Sequence, residues 1–189
     1  MNESKSDDTL RNQFLVAMPS LDDENFSHTV SLLCEHNDSG AIGLVINRPT
    51  ELRLGDMMDQ MGLSHDQVDD DAIVYWGGPV QPERGFVIHT PPGGWESSME
   101  LSEDLYVTTS RDILRAIGQG EGPQHYVVVL GYAGWGSGQL ETEILHNSWL
   151  NTPLDRQILF ETPAGNRWQA ATRLLGIDVS QIAGDAGHA

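Results

Sequence analysis

A chain of 189 residues and 20.8 kDa fits one domain, and 39% hydrophobic content is enough to bury a core without staples. The formal charge of -18, with a single lysine at Lys5, works against nonspecific binding to phosphate backbones. One cysteine, Cys34, excludes an internal disulfide and any multi-cysteine zinc or iron–sulfur centre.

The acidic stretches LDDEN (21–25) and VDDDA (68–72) lack the alternating acids, central glycine and closing glutamate of a calcium loop, and read as solvated loops. No apolar run reaches the roughly 18 residues a membrane span needs. The opening MNESKSDDTLRNQ lacks the basic-then-apolar order of a secretory signal. A cytoplasmic protein with no membrane partner is the expectation.

In chain order, residues 1–12 are polar and are expected to be flexible, ahead of a single domain over 13–189. FLVAM (14–18) predicts a strand. TVSLLCEH (29–36) and AIGLVIN (41–47) predict a hairpin around NDSG, with Arg48-Pro49 stopping its second strand. LGDMMDQMGL (54–63) predicts a helix with Leu54, Met57, Met58 and Met61 on its core face. AIVYWGGPV (72–80) and RGFVIHT (84–90) predict strands around a Gly-Gly-Pro turn, followed by a PPGGWESS loop and a strand at LYVTT (105–109).

Ser110 predicts the cap of a helix over RDILRAIGQG. YVVVLGYA (126–133) is apolar throughout, as a strand covered on both faces would be. QLETEILHN (139–147) predicts a helix, QILFE (157–161) a strand, and NRWQAATRLLG (166–176) an amphipathic helix. The fold class this gives is α+β, one domain with a mixed or antiparallel sheet.

GYAGWGSGQ (131–139) crowds four glycines between an apolar strand and a helix. It has no lysine for a phosphate loop, the wrong spacing for a dinucleotide loop, and no G-x-S-x-G for a nucleophile elbow. What remains is a sharp turn, with the strand leaving the sheet at Gly131. Trp135 is either an anchor for that turn or an exposed stacking platform; its closeness to a core strand favours burial. Glu143-x-x-His146 matches half of a di-iron helix motif and occurs once. Cys34, His36 and His28 have no fixed ligand geometry, so neither metal nor cofactor is expected. His89 ends an apolar strand without an evident partner acid or serine.

Arg48 in VINRP and Arg84 in PERGF stand at strand ends, where each pairs with a carboxylate or the two converge on an anionic ligand.

FLVAMP, FSHTVSLLCEHNDSGAIGLVINRP, GGPVQPERGFVIH and LGYAGWGSGQLETEILHNSWL, four blocks in this order from about residue 14 to about residue 151, resemble the AlgH/YqgE family of bacterial proteins. Cys34 lies outside the family pattern. The resemblance implies a compact fold with a barrel-like sheet and flanking helices. It also implies a regulatory role, through a transcriptional-regulator label tied to alginate control in pseudomonads. It carries over no catalytic residue.

The positions that match are Asn47, Arg48, Arg84, Trp135, Gln139 and Glu141, with Gly77, Gly78, Gly85, Gly131 and Gly134 as backbone-turn glycines. The leading expectation is a non-enzymatic regulatory protein whose partner is another protein or a small anionic ligand. Its alternative is a nucleotide- or phosphate-binding enzyme with a site built from Arg48, Arg84, His89 and the 131–139 turn.

Overall fold

The computed structural model describes residues 9–177. Its first strands, β1 (Gln13–Ala17), β2 (Val30–Asn37) and β3 (Gly40–Val45), form an antiparallel meander that contains the expected hairpin. β4 (Pro49–Arg53) leads directly into α1 (Leu54–Gln60), and β5 (Ile73–Trp76) and β6 (Val80–His89) follow. β7 (Ser98–Ser102) and β8 (Leu105–Thr108) make a second hairpin ahead of α2 (Arg111–Gly118). Then come β9 (Tyr126–Trp135), α3 (Gln139–Leu145), β10 (Trp149–Pro153), α4 (Arg156–Phe160) and α5 (Ala164–Leu174).

The strands join in one sheet of order β10-β1-β2-β3-β9-β6-β8-β7, with β5 between β4 and β9. Pairing is antiparallel except between β5 and β9. The sheet curls into a half-barrel with helices on its flanks, and the whole is a single compact α+β domain.

Side-chain alternation sorts the strands into layers. Inside the curl, Phe14 and Val16 of β1, Phe86 and Ile88 of β6, and Val127 and Val129 of β9 meet Ile158 and Trp168 from α4 and α5. On the outer face, Val87 and Val128 meet Leu54 and Met58 of α1 and Ile113 and Ile117 of α2. Leu15, Ala133 and Trp135 pack with Leu140 and Trp149 in a third cluster under α3. Cover on both faces is why the start of β9 carries no polar residue.

Several expectations are corrected. QILFE is the helix α4: the Asp155 carboxylate accepts from the Ile158 amide at 3.1 Å and caps it, and Ile158 and Leu159 are both buried. Five residues are too few for a period to separate helix from strand. Pro49 does not merely stop a strand; it begins β4, which tolerates proline at its first residue. β7 and β10, which were not expected, carry few large apolar residues; β7 is the last strand on one end of the sheet and β10 the last on the other. Ser110 precedes α2 without capping it, since its hydroxyl is bonded to Asp112 Oδ1 at 2.5 Å.

β5 and β6 are not partners around a Gly-Gly-Pro turn. They lie on opposite edges of β9, Tyr75 and Phe86 both opposite Val129. The chain between them therefore crosses over β9, backbone on backbone. A Cβ at Gly77 would stand 2.4 Å from Gly131 O, one at Gly78 2.0 Å from Tyr132 C, and one at Gly131 2.3 Å from Gly78 O. Gly131, with φ +80, sits inside β9 rather than at its end, and the strand runs on to Trp135. The glycines make room for another stretch of backbone. Gly85 and Gly134 also lie within strands, and at both the nearest atom to an added Cβ is at an ordinary 3.8 Å.

Candidate functional site

The turn from β9 into α3 satisfies itself. Gln139 Oε1 accepts from the Gly136 amide at 2.9 Å while the Gln139 amide donates to Gly136 O at 3.0 Å. Ser137 donates to Asp38 O at 2.6 Å. Trp135 is buried, and its indole shares Glu143 Oε1 with the indole of Trp149, at 3.3 and 3.1 Å. Here Trp135 is the anchor rather than an exposed platform. Glu143 accepts from both of these indoles.

Glu141 reaches across to β2, where His36 Nε2 lies 2.5 Å from its Oε1. Leu10 donates its amide to His36 Nδ1 at 2.9 Å, so Nε2 carries the hydrogen that goes to Glu141. That hydrogen bond holds the Glu141 carboxyl below its ordinary range, chiefly through the His36 side chain. A depressed carboxylate pKa contributes stability that is present above the unfolded value of 4.5 and is lost as pH falls through the folded one. The side chain is half exposed, so the contribution is under about 1 kcal/mol. Chemical denaturation from pH 6 to 3 is expected to show the wild type losing that increment below pH 4.5, and Glu141→Gln lacking it at every pH.

Asn47 is a clamp within the sheet: Oδ1 accepts from the Val30 amide and Nδ2 donates to His28 O, both at 2.9 Å. Arg48 donates to Glu24 O at 3.0 Å and Ser27 O at 2.7 Å, with its Cζ 5.6 Å over the Trp76 ring. Its partners are backbone carbonyls, not the expected carboxylate. His89 is fully buried at the far end of β6, between Thr90 O at 2.8 Å and Thr108 Oγ1 at 2.7 Å. Burial lowers its pKa, against the opposing effect of the Thr90 hydrogen bond. Arg48, His89 and the turn are thus each engaged elsewhere, and the structure does not bring them to one cavity with Arg84.

Arg84 does line a cavity. A cleft of about 310 Å³ opens where the half-barrel curls, between β2, β3, β6, β7 and β8. Phe86, Leu44, Met99 and Val107 give it an apolar wall; Glu35, Thr109 and Arg84 supply polar groups. The Arg84 guanidinium stands 5.2 Å over the Phe86 ring. Cys34 lies on the lining, but burial, followed by the Glu35 charge, pushes its thiol up to about 12, so it is not a nucleophile at neutral pH. Arg11 closes the gap between β2 and β7, donating to Cys34 O at 3.1 Å and Glu100 O at 2.7 Å.

Arg84 differs from the arginines of three other clefts. Those clefts, of about 420, 350 and 310 Å³, are each lined by one arginine. Arg111 donates to Met61 O, Arg167 to Ile46 O and Thr162 O, and Arg156 lies 3.7 Å from Asp104. Among the described residues, Arg84 has no hydrogen-bond or ion-pair partner.

Ser98, Arg11 and Arg167 went unnoticed in the sequence. Ser98 sits beside a glycine-rich loop with no apolar alternation to mark a strand. Among the described residues no three His, Cys, Asp or Glu side chains cluster as metal ligands, and no helix is long and apolar enough to cross a membrane.

The half-barrel sheet with flanking helices is a fold shared with known proteins. The AlgH-like family model (DUF179) matches residues 14–180, and the chain belongs to that family. It is 56% identical over 178 residues to a UPF0301 protein of Thioalkalivibrio sulfidiphilus, covering 94% of this chain and 96% of that one. A UPF0301 protein of Hahella chejuensis is 51% identical over 186 residues, covering 98% and 100%. The solution structure of the AlgH protein from Pseudomonas aeruginosa is similar across 100% of both chains, with TM-score 0.78 and 44% identity. A Corynebacterium diphtheriae crystal structure shares the fold at TM-score 0.70 and 20% identity, over 86% of this chain and 85% of that one.

Proposed function

We propose that this AlgH-like protein is a non-enzymatic regulatory protein that takes a small amphipathic anion into the cleft at the opening of its half-barrel, with Arg84 as the charged contact. The observation that carries this reading is the uncommitted Arg84 guanidinium beside apolar wall residues, while Arg111 and Arg167 of two other clefts donate to backbone carbonyls and Arg156 of a third faces the Asp104 carboxylate at 3.7 Å. The volume lies at the small end of the range for ligand pockets, which suits a metabolite rather than a peptide. A net charge of -18 opposes an anion at long range, but screening confines that effect to about 8 Å at physiological salt, and contact with Arg84 decides binding.

Octanoate is a suitable probe in a thermal-shift titration. At ~100 times its dissociation constant it should add about 2.7 kcal/mol, a rise of roughly 5–10 °C for a domain of this size. Arg84→Gln should weaken binding about 10–100-fold, the equivalent of one charge-assisted hydrogen bond. An unshifted wild type, or an equal shift in the variant, would remove the reading.

On the same grounds of charge, any regulation of transcription runs through a partner rather than through direct contact with DNA. A gel-shift titration at low salt, where phosphate contacts are strongest, should show no binding. A tight, salt-sensitive complex would overturn this.

A further inference from the structure

The lining of the Arg84 cleft carries a second charge, the carboxylate of Glu35. Strand register puts both side chains on the inner face of the curl. Residues directly opposite each other in an antiparallel pair share a face. Leu32 lies opposite Leu44, and both belong to the inner core. Ile42, two residues before Leu44 on β3, shares that face. Past the bulge between Leu33 and Glu35, it is Glu35 that stands opposite Ile42, and both line the cleft. On β6 the two neighbouring charges part company. Glu83 lines the cleft beneath α1 and α2 on the outer face, while Arg84 lays its guanidinium over Phe86 of the inner core.

Glu35 on β2 and Arg84 on β6 have β3 and β9 between them, and the curl of these four strands turns both toward one cavity. Among the described residues neither forms an ion pair, with the other or with a third group. One cation and one anion thus stand apart on a lining whose other wall residues include Leu44, Phe86, Met99 and Val107. A simple anion meets half of this arrangement: it gains Arg84 and is repelled by Glu35, in a protein of net charge -18. A ligand with no net charge but a dipole of its own gains at both groups.

Resting on the reading of Arg84 as the contact for an acid, we infer that this acid also bears an amine at the same end, as an α-amino acid with an apolar side chain does. Its carboxylate meets Arg84, its ammonium meets Glu35, and its side chain lies along the apolar wall. With both charges at one head, none has to be drawn across that wall.

Octanoate, 2-hydroxyoctanoate and 2-aminooctanoate differ at one substituent, which is cationic only in the last at pH 7. In calorimetric titration, wild type should bind the amino acid about 3–10-fold more tightly than the other two, the worth of an ion pair with an exposed carboxylate. Glu35→Gln keeps the size of a side chain that is exposed and unpaired among the described residues, so the fold is not at stake. It should erase the preference from both sides: the amino acid weakens, and octanoate, no longer repelled, tightens about twofold. A merely structural effect would move all three acids alike. A preference that survives Glu35→Gln would overturn the inference, as would 2-hydroxyoctanoate binding as tightly as the amino acid. If the three acids bind wild type equally and depend on Arg84, the role of Glu35 falls and the acid site stands. If none binds, the acid site falls and the inference falls with it.

Discussion

Gly78→Ala is expected to cost about 4 kcal/mol or more, enough to leave little folded protein in a domain whose whole stability is about 5–15 kcal/mol. The added methyl would stand 2.0 Å from the carbonyl carbon of Tyr132 and 2.4 Å from the Ala133 amide, both of them backbone. No rotamer change relieves a clash with main chain. Gly78 also has φ +155, outside the range that L residues favour. Moving the segment away would break the hydrogen bonds that fix it, from the Gly77 amide to Leu130 O at 2.7 Å and from the Val45 amide to Gly77 O at 2.8 Å. Gly134→Ala is the matched control, with 3.8 Å of room, and should fall within about 1 kcal/mol of wild type. Urea midpoints of the two variants decide the matter: a tolerated Gly78→Ala would refute the crossing.

The second large effect is expected at Arg167, only 5% exposed. Its Nε donates to Thr162 O at 2.9 Å and its Nη1 to Ile46 O, and the guanidinium lies 5.1 Å over the Tyr75 ring. Burial pulls its pKa below the ordinary value, with the Tyr75 hydroxyl acting the other way. Among the described residues no carboxylate pairs with it, so what it contributes is donors rather than an ion pair. Arg167→Ala strands two carbonyls at about 1–3 kcal/mol each and removes the packing of a long stem, for a loss of about 3–5 kcal/mol in urea denaturation. Arg167→Lys, which lacks the planar fork, should recover only part of it. A loss below about 1 kcal/mol in the alanine variant would show that water replaces the guanidinium at both carbonyls.

The sequence was most legible where one layer of structure explains the pattern. The β2–β3 hairpin, α1, α2 and the start of β9 follow from apolar runs and their stops. What did not follow was pairing. Nothing in AIVYWGGPVQPERGF says that the strands on either side of Gly77-Gly78-Pro79 flank a third strand some fifty residues later; only the need for glycine at the crossing hints at it. For the site, Arg84 was legible as a strand-end cation, expected either to pair with a carboxylate or to meet an anion together with Arg48. Asn47, Arg48, Gln139 and Glu141 drew notice as polar residues within distinctive motifs. In the structure each holds one part of the backbone against another.

β9 pairs with β3, β5 and β6, and the loop joining the last two lies across it. β3 pairs locally with β2 and β5 with β4, but these units join each other and β6 only through β9, a strand synthesised late. Refolding must close loops of roughly forty to ninety residues before these contacts are rewarded, which places it among slow, nonlocal topologies, in milliseconds to seconds. In the cell, β3, β5 and β6 all leave the ribosome before the strand that joins them.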